Sequence, residues 1–343
     1  MLEHEIYMRR CLQLAEKGLG SVSTNPLVGA VLVYDGKIIG EGYHKKFGEA
    51  HAEVNAIASV ENKELLKLAT LYINIEPCSH FGKTPPCANL IIESGIKKVV
   101  IGIEDPFIAV QGRGVKMLEE AGIEVVKGVL ESECKEMNRR FLTFYMKRRP
   151  YIILKWAQTA NGKIGSGTDE TWQISGDDSI RLSHKWRTEE DAILVGFNTA
   201  LHDNPRLTSR LWPGRNPQRL LLDPEARIGK GFQIMDDQAD TIVFSSVKQG
   251  QEGRTKWVSL NEVNYLPSII ISLFDSNIQS LIVEGGATVH KFFLSSGIWD
   301  ETRVVISDQW KQGGVDAAPV PAGRTTESKI DNDRLLVIRN TFN

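Results

Sequence analysis

Apolar and polar positions in the N-terminal half follow a helical pattern first and then strand patterns. Apolar residues recur at helical spacing over residues 5–19, with charged residues between them, and two glycines end the predicted helix. Residues 30–44 predict two strands that turn at Asp35-Gly36, because this dipeptide between β-rich runs favours a hairpin. Beyond it, strands are predicted at 70–77, 99–106 and 123–128, and helices at 51–60, 88–95 and 114–122.

The second half repeats this alternation of strands and helices. Residues 179–188 predict a helix, and residues 281–297 predict a strand, a glycine turn and then a helix. Further strands are predicted at 151–158, 191–196, 219–224 and 241–246. The tail beyond Lys311 is rich in Gly, Pro and Ala and predicts only one last strand, at 335–340.

The alternation predicts an α/β fold with a largely parallel sheet covered on both faces. The basic stretch Lys147-Arg148-Arg149 before Pro150 is the best candidate for a linker. It divides the chain into predicted domains 1–146 and 150–343. A length of 343 residues agrees with two domains that each bury a core.

Composition and charge narrow the function classes. The chain has 41 Lys and Arg against 43 Asp and Glu, a net charge of −2, which argues against a general nucleic-acid coat or a membrane-surface protein. No apolar run approaches the roughly 18 residues of a spanning helix, and the charged N-terminus has no apolar signal core. We therefore expect a cytoplasmic protein without nucleic-acid or membrane partners. Four cysteines do not make a disulfide scaffold.

One group of residues has the chemistry of a catalytic zinc site. His51 and Glu53 stand at the start of a predicted helix, and Cys78 and Cys87 flank a loop between a strand and a helix. One imidazole and two thiolates leave a fourth zinc position open, and zinc lowers the pKa of a water molecule held there. Glu53 is placed to move a proton between that water and a leaving amine. The order His-x-Glu followed by Pro-Cys and a second Cys is typical of zinc nucleobase deaminases.

Other interpretations of these residues exist. Scattered His and Cys residues are usually ordinary core or surface residues, and a structural zinc site is a second alternative. A structural site needs four protein ligands and would leave Glu53 without a role. His44 and His80 are alternative ligands, although His80 lies only two residues from Cys78, where the geometry is cramped.

The loop between the two cysteines separates this chain from simpler deaminases, which carry Cys-x-x-Cys. The string EPCSHFGKTPPC at 76–87 resembles the bacterial deaminase–reductases of riboflavin biosynthesis, the RibD or RibG family. NPLVG at 25–29, GYH at 42–44 and GEAHAEVNAI at 48–57 match the same family. In the second half, LKWAQTANGKIG, HDNPRLTSRLW and VEGGAT resemble its reductase half. The resemblance covers nearly the full chain.

The resemblance implies a cytidine-deaminase-like three-layer α/β/α domain and a dihydrofolate-reductase-like α/β domain. It implies zinc ligation by His51, Cys78 and Cys87, with Glu53 as the proton shuttle. It places four residues on the deaminase substrate: Asn25, His44, Lys83 and Thr84. An amide and an imidazole suit hydroxyls or ring atoms, and a Lys-Thr pair in a loop suits a phosphate.

For the second half, the resemblance implies NADPH-dependent reduction of a ribosylamino-pyrimidine. Phosphosugar contacts fall on Lys155, Thr171, Arg187, Leu207, Arg210 and Glu284. Cofactor contacts fall on Ala157, Gln173, Thr199, Asp203, Gly286, Ala287, Thr288, Val289, His290, Lys291 and Phe292. Two arginines and a lysine suit a phosphorylated sugar, whereas the Gly-Gly turn alone is weak support for a phosphate site. Glu284 ends an apolar strand and needs a partner, for which we expect a Schiff-base intermediate beside the nicotinamide.

Two departures from the family pattern concern the reductase half. Trp172 is displaced by one place, so that Gln173 occupies the usual cofactor-contact position. The region 319–333 is an imperfect match.

The leading hypothesis is a bifunctional enzyme that acts on a small phosphoribosyl-pyrimidine, as a homodimer or homotetramer. The alternatives are a deaminase of another base, such as a tRNA adenosine, with a mere binding domain, and a zinc-stabilised scaffold without activity. The long cysteine loop and the near-neutral charge oppose the first alternative. The intact Glu53 opposes the second.

Overall fold

The computed structural model describes residues 2–79, 85–106, 111–168, 170–260 and 264–341. The chain divides into two compact units, Met1–Arg148 and Arg149–Asn343. The division falls inside the basic stretch 147–150. Each unit has its own sheet and its own apolar clusters, so each is described by itself.

The N-terminal unit is built on five strands and six helices within the described residues. The strands are β1 (Gly29–Tyr34), β2 (Lys37–Tyr43), β3 (Thr70–Ile75), β4 (Lys98–Ile103) and β5 (Glu124–Lys127). The helices are α1 (Leu2–Glu16), α2 (Ala52–Ser59), α3 (Cys87–Glu93), α4 (Arg113–Glu120), α5 (Glu131–Met137) and α6 (Arg139–Lys147), and Lys63–Leu68 is a 3-10 helix.

The five strands form one sheet in the order β2-β1-β3-β4-β5. β1 pairs antiparallel with β2 and β3, whereas β3, β4 and β5 are parallel. The hairpin between β1 and β2 turns at Asp35 and Gly36, which have φ of 50° and 69°, so the predicted turn is confirmed. The sheet is mixed rather than largely parallel, because the hairpin adds two antiparallel pairings.

Helices cover both faces of this sheet. Alternate residues of β1 point to opposite faces: Ala30 and Leu32 to one, Val31 and Val33 to the other. The first face packs against apolar residues of α2, α3 and α4, and the second against those of α1, α5 and α6. The predicted three-layer α/β/α arrangement is therefore confirmed.

The C-terminal unit contains twelve strands and four α-helices within the described residues. The strands are β6 (Tyr151–Gln158), β7 (Lys163–Gly165), β8 (Ala192–Gly196), β9 (Gln218–Leu222), β10 (Thr241–Ser245), β11 (Gly250–Glu252), β12 (Thr255–Ser259), β13 (Ser280–Val283), β14 (Glu301–Ile306), β15 (Val315–Asp316), β16 (Arg324–Ile330) and β17 (Asp333–Arg339). The helices are α7 (Asp177–Glu189), α8 (Phe197–Asp203), α9 (Tyr265–Asp275) and α10 (Ala287–Ser296), and Gln233–Met235 is a 3-10 helix.

Ten of these strands form one sheet in the order β11-β12-β10-β9-β8-β13-β6-β14-β17-β16. The strands from β12 to β14 in that order are parallel, and antiparallel strands flank them at both edges. Apolar residues of α9 and α10 cover one face, and those of α7 and α8 cover the other. In parallel sheets, ligands bind beyond the carboxyl ends of the strands, where β13 here leads into Glu284 and two glycines.

The tail differs from its sequence-based prediction. Beside the expected last strand, β17, the structure forms β16 and pairs the two as an antiparallel hairpin. Among the described helices, none is both long and apolar enough to cross a bilayer.

Candidate active sites of the two units

In the N-terminal unit, three predicted metal ligands lie together where two helices begin. His51 precedes the first residue of α2, Cys87 is the first residue of α3, and Cys78 follows β3. The His51 Nδ1 atom lies 3.3 Å from Cys87 Sγ and 3.6 Å from Cys78 Sγ. All three ligand atoms lie within 4.8 Å of one another, and no other such group of ligands occurs in the described residues.

The donor set fits zinc. Imidazole nitrogen and thiolate sulfur are ligands that zinc prefers, and three protein ligands leave one tetrahedral position open. The hydrogen bond from Cys87 lowers the pKa of the Cys78 thiol to about 4. The same hydrogen bond raises the pKa of Cys87. One thiolate therefore forms readily in this cluster, as metal binding requires.

Glu53 lies buried in the first turn of α2, two residues after His51. Burial, and next the negative charge of Cys78, raises the pKa of its carboxyl to about 7. A carboxyl group with a pKa near neutrality can both accept and release a proton at physiological pH.

Asn25 and His44 form a hydrogen-bonded pair beside the ligand cluster. His44 Nε2 lies 3.0 Å from Asn25 Nδ2, and His44 Nδ1 lies 3.1 Å from the Ala50 carbonyl oxygen. The rings of His44 and His51 meet edge to face at 5.2 Å between centroids. Both nitrogens of His44 thus have protein partners, and His44 is not part of the metal cluster. His80, Lys83 and Thr84 lie outside the described residues.

Glu76, which directly precedes Pro77-Cys78, is a further residue that was not predicted from the sequence. Its buried carboxylate accepts hydrogen bonds from four backbone N–H groups, those of Asp105, Gly112, Gly114 and Val115. The available signal was an acidic residue at the end of an apolar strand, where a buried carboxylate needs donors.

In the C-terminal unit, the structure brings three predicted substrate residues together. Arg187 donates two hydrogen bonds to Glu284, from Nε at 3.1 Å and from Nη2 at 2.6 Å. Lys155 Nζ lies 4.0 Å from the same carboxylate, and all three side chains are largely buried. Burial would raise the pKa of Glu284, but the charges of Arg187 and Lys155 lower it to about 2. The cluster keeps an excess of positive charge, which suits an anionic ligand.

Glu284 has a protein partner that the sequence did not indicate. The carboxylate pairs with Arg187 of α7, because that helix packs over the strand that Glu284 ends. The expected contact of Glu284 with a substrate intermediate stays a prediction.

The buried His184 was missed. It lies one helical turn before Arg187, and its Nδ1 atom has no hydrogen-bond partner in the described structure. Burial, followed by the charges of Arg187 and Arg210, lowers its pKa to about 4. The spacing His-x-x-Arg in a predicted helix was the available signal, since it places both side chains on one face.

The predicted cofactor turn connects β13 to α10. A Cβ atom at Gly285 would lie 2.8 Å from the backbone nitrogen of Gly196, so only glycine permits this approach to β8. Gly286 N donates to Thr199 Oγ1 at 2.8 Å, which joins the turn to α8. The start of α10 provides further backbone N–H groups that have no partner within the helix.

The remaining predicted residues lie in varied surroundings. Leu207 and Val289 are buried in the core, and His290 donates from Nε2 to the Val283 carbonyl oxygen at 3.1 Å. Ala157 lies on β6 opposite Val305. Ala287 and Phe292 are half-buried, and Arg210, Thr288 and Lys291 are exposed. Thr171, Gln173 and Asp203 are exposed too, and in the described structure none of them hydrogen-bonds to Lys155, Arg187 or Glu284.

Two protein-family models match the chain. Residues 1–103 match the cytidine and deoxycytidylate deaminase zinc-binding region. Residues 150–308 match the RibD C-terminal domain. Each match covers the candidate site of its own unit. Residues 309–343, at the end of the second unit, lie beyond the match.

Full-length relatives agree with both matches. The riboflavin biosynthesis protein RibD of Aquifex aeolicus is 42% identical over 307 residues, which cover 88% of this chain and 86% of that protein. The RibD protein of Actinobacillus pleuropneumoniae is 38% identical over 98% of this chain and 91% of its own length.

Solved structures support the same assignment. A diaminohydroxyphosphoribosylaminopyrimidine deaminase/5-amino-6-(5-phosphoribosylamino)uracil reductase from Thermotoga maritima superposes with a TM-score of 0.89 at 39% identity, covering 98% of both chains. RibD of Acinetobacter baumannii also superposes with a TM-score of 0.89, at 29% identity and over 99% of both chains. The chain therefore belongs to the RibD family of riboflavin biosynthesis proteins.

Proposed function

We propose that the chain catalyses two consecutive steps of riboflavin biosynthesis. Domain 1–146 hydrolytically removes the 2-amino group of 2,5-diamino-6-ribosylamino-4(3H)-pyrimidinone 5′-phosphate and releases ammonia. Domain 150–343 then reduces the ribosyl group of the product to ribityl with NADPH. The observation that carries this proposal is the buried Glu53 beside the ligand cluster, because a purely structural zinc site needs no carboxyl group in that position.

Zinc is the cofactor of the deaminase reaction, and His51, Cys78 and Cys87, whose ligand atoms lie within 4.8 Å of one another, would hold it. When bound, zinc lowers the pKa of a water molecule and so supplies the nucleophile. Glu53 accepts the proton and passes it to the nitrogen that leaves as ammonia. Its carboxyl group suits both transfers because burial raises its pKa to about 7.

Asn25 and His44 orient the pyrimidine. The Ala50 carbonyl oxygen only accepts hydrogen bonds, so His44 Nδ1 carries the proton. Burial lowers the pKa of His44 and keeps the ring neutral, so its Nε2 accepts from Asn25 Nδ2. The Oδ1 atom of Asn25 is then the one that faces the substrate as an acceptor, which suits an N–H or O–H group. Lys83 and Thr84, outside the described residues, bind the substrate phosphate.

In the reductase reaction, Lys155, Arg187 and Arg210 bind the phosphorylated sugar, together with Thr171 and Leu207. Arg187 is held by its two hydrogen bonds to Glu284, so its charge is fixed in place before substrate arrives. When bound, NADPH would supply a hydride to the ribose C1′ carbon, as the bond between C1′ and the ring oxygen breaks and that oxygen takes up a proton from water. Glu284 lies between Lys155 and Arg187, where it sets the position of both cations.

The cofactor lies along Gly286 and the first residues of α10, Ala287 to Phe292. The close approach of Gly285 to Gly196 holds the first residues of α10 at the carboxyl end of the sheet. The other cofactor contacts are made by Ala157, Thr199 and Asp203. Gln173 stands at a cofactor-contact position where the family usually has another residue.

We further propose that the chain works in the cytoplasm as a homodimer or homotetramer, on a small-molecule substrate and without nucleic acid or membrane. Light scattering coupled to size exclusion tests the oligomeric state. A monomer at micromolar concentration would contradict this part of the proposal and leave the two activities untouched.

One reaction mixture tests both activities. The purified chain receives the diaminopyrimidinone ribosyl phosphate and NADPH, and ammonia and nicotinamide absorbance are followed separately. Ammonia release together with NADPH loss supports both domains. Ammonia without NADPH loss refutes the reductase assignment alone, and neither signal from protein that holds one zinc per chain refutes both.

A further inference from the structure

Glu76 connects the segment that carries a zinc ligand to the start of α4. Its Oε1 atom accepts from Gly114 N at 2.9 Å and from Val115 N at 3.1 Å. Its Oε2 atom accepts from Gly112 N at 3.0 Å and from Asp105 N at 3.1 Å. Glu76 is 3% exposed, so all four hydrogen bonds are shielded from solvent.

The first turn of α4 also touches the ligand segment directly. A Cβ atom at Gly114 would lie 2.3 Å from the Pro77 carbonyl oxygen. Any side chain at this position would push the helix and the Glu76-Pro77 backbone apart. The N–H groups around Gly114 can reach the carboxylate only because the backbone of α4 comes this close.

Cys78 is fixed from its other side by α3. Cys87 N donates to Cys78 Sγ at 3.2 Å, and Ala88 N donates to the Cys78 carbonyl oxygen at 3.2 Å. On the N-terminal side of Cys78, the segment Glu76-Pro77-Cys78 is held at Glu76. Glu76 holds it there with its side chain and with its own N–H, which donates to Ile103 O at 2.8 Å.

We propose that Glu76 is a positioning residue of the zinc site, which holds Cys78 at the distance from His51 and Cys87 that the metal needs and so sets zinc affinity. The proposal rests on the zinc site of the proposed function. It concerns a residue that contacts neither zinc nor substrate. Groups that orient metal ligands change affinity strongly when they are removed.

The substitution Glu76→Gln tests it with little change in size. An amide replaces one oxygen, so an NH₂ group faces either the Gly114 and Val115 N–H groups or those of Asp105 and Gly112. Two hydrogen bonds are lost in either orientation. Glu104→Gln is the matched control, because Glu104 is exposed and its ion pair within the described residues is a surface pair with Lys127 at 3.0 Å.

The measurement is the zinc dissociation constant of the full chain, by competition with a chromogenic chelator. We expect E76Q to raise it roughly 10- to 100-fold, with E104Q unchanged. In saturating zinc, E76Q should regain ammonia release, and its NADPH oxidation on deaminated substrate should equal that of the wild type. A merely structural role would not produce this zinc rescue.

Folded E76Q with wild-type zinc affinity overturns the inference while leaving the proposed function in place. A wild-type chain that binds no zinc instead refutes the proposed function, so the two failures are distinct. If E76Q does not fold, Gly114→Ala carries the test, because its methyl group displaces the same contact and leaves the carboxylate intact. Wild-type zinc affinity in G114A would then refute the proposal.

Discussion

The two candidate sites are assembled in different ways. In the N-terminal unit, the zinc ligands and Glu53 come from residues 51 to 87, and three of these four residues stand at or next to the starts of two helices. In the C-terminal unit, the charged cluster draws on Lys155 of β6, Arg187 of α7 and Glu284, which follows β13, and these residues are far apart in sequence. The residues of the first site lie in short sequence motifs, whereas those of the second come together only when the sheet forms.

The two sites also differ in what their charges do before a ligand binds. Arg187 and Glu284 already form a two-bond ion pair, so that their first role is to stabilise each other. The N-terminal ligand atoms contact one another through sulfur, and the buried Glu53 has no salt bridge among the described residues. The positive charge of His51 only partly offsets the effect of burial on the pKa of Glu53. Substitutions in the zinc site should therefore mainly affect the deaminase activity. Substitutions in the charged cluster should affect both the reductase activity and the stability of the C-terminal unit.

Glu53→Gln should show the largest effect, because it removes the proton carrier and changes little else. We expect the rate of ammonia release to fall by about 10³-fold, within the range attributed to general acid–base groups. Zinc content should stay at one per chain, and NADPH oxidation on deaminated substrate should not change. The exposed Glu61→Gln is the control. Retention of more than a tenth of the wild-type rate in E53Q would contradict the assigned role.

Glu284→Gln should lower the stability of the C-terminal unit. It leaves two buried cations, Arg187 and Lys155, without their counter-ion, and breaking such a pair costs about 3 kcal/mol. All 7 tryptophans lie between residues 156 and 310, so tryptophan fluorescence in urea reports on this unit alone. Reductase activity should be lost, and ammonia release should be unaffected.

Glu225→Gln is the matched control for this variant, since the Glu225–Arg227 pair is exposed and contributes about 0–1 kcal/mol. Equal urea midpoints for the two variants would show that Glu284 is no more important to stability than a surface carboxylate.

The sequence predicted what depends on local rules. The zinc ligands could be predicted because the ligands, the proton carrier and two helix starts lie close together in the sequence. The hairpin at Asp35-Gly36 could be predicted because few other residues fit its turn. The α/β class of both units followed from the alternation of apolar strands and helices, whereas the types of the two domains followed only from the family resemblance.

What the sequence missed depends on tertiary contact. The donors to Glu76 come from residues 29 to 39 positions further along, and nothing in the motif EPC specifies them. The partner of Glu284 lies 97 positions earlier, on α7. β16 was missed because it is an exposed edge strand, and its residues show no apolar alternation.

Acid should weaken the C-terminal unit through its buried histidines. Burial lowers the pKa of His184 and of His290 to about 4, below the ordinary 6.5 of an unfolded chain. Between these values the unfolded chain binds more protons, so stability falls as the pH decreases from 6.5 towards 4. From pH 7 to pH 5, His290 alone should cost about 2 kcal/mol. Glu284, with a pKa of about 2, does not titrate in this window.

Urea midpoints from tryptophan fluorescence at pH 7 and pH 5 measure this loss. His290→Gln keeps a donor for the Val283 carbonyl oxygen and removes the titrating ring, so its midpoint should change less with pH than that of the wild type. A wild-type midpoint that is the same at both pH values would refute the assignment.

Thr199→Val should have the smallest effect, because the cofactor turn is built mainly from backbone. The substitution keeps the shape of the side chain and removes the oxygen that accepts from Gly286 N at 2.8 Å. Loss of one such hydrogen bond costs about 1 kcal/mol, which predicts about a fivefold rise in the KM for NADPH with little change in kcat. Thr199→Ser retains the hydroxyl group and should behave as the wild type. If T199V and T199S have the same KM, the hydroxyl does not hold the turn, and the cofactor site owes its shape to the glycines alone.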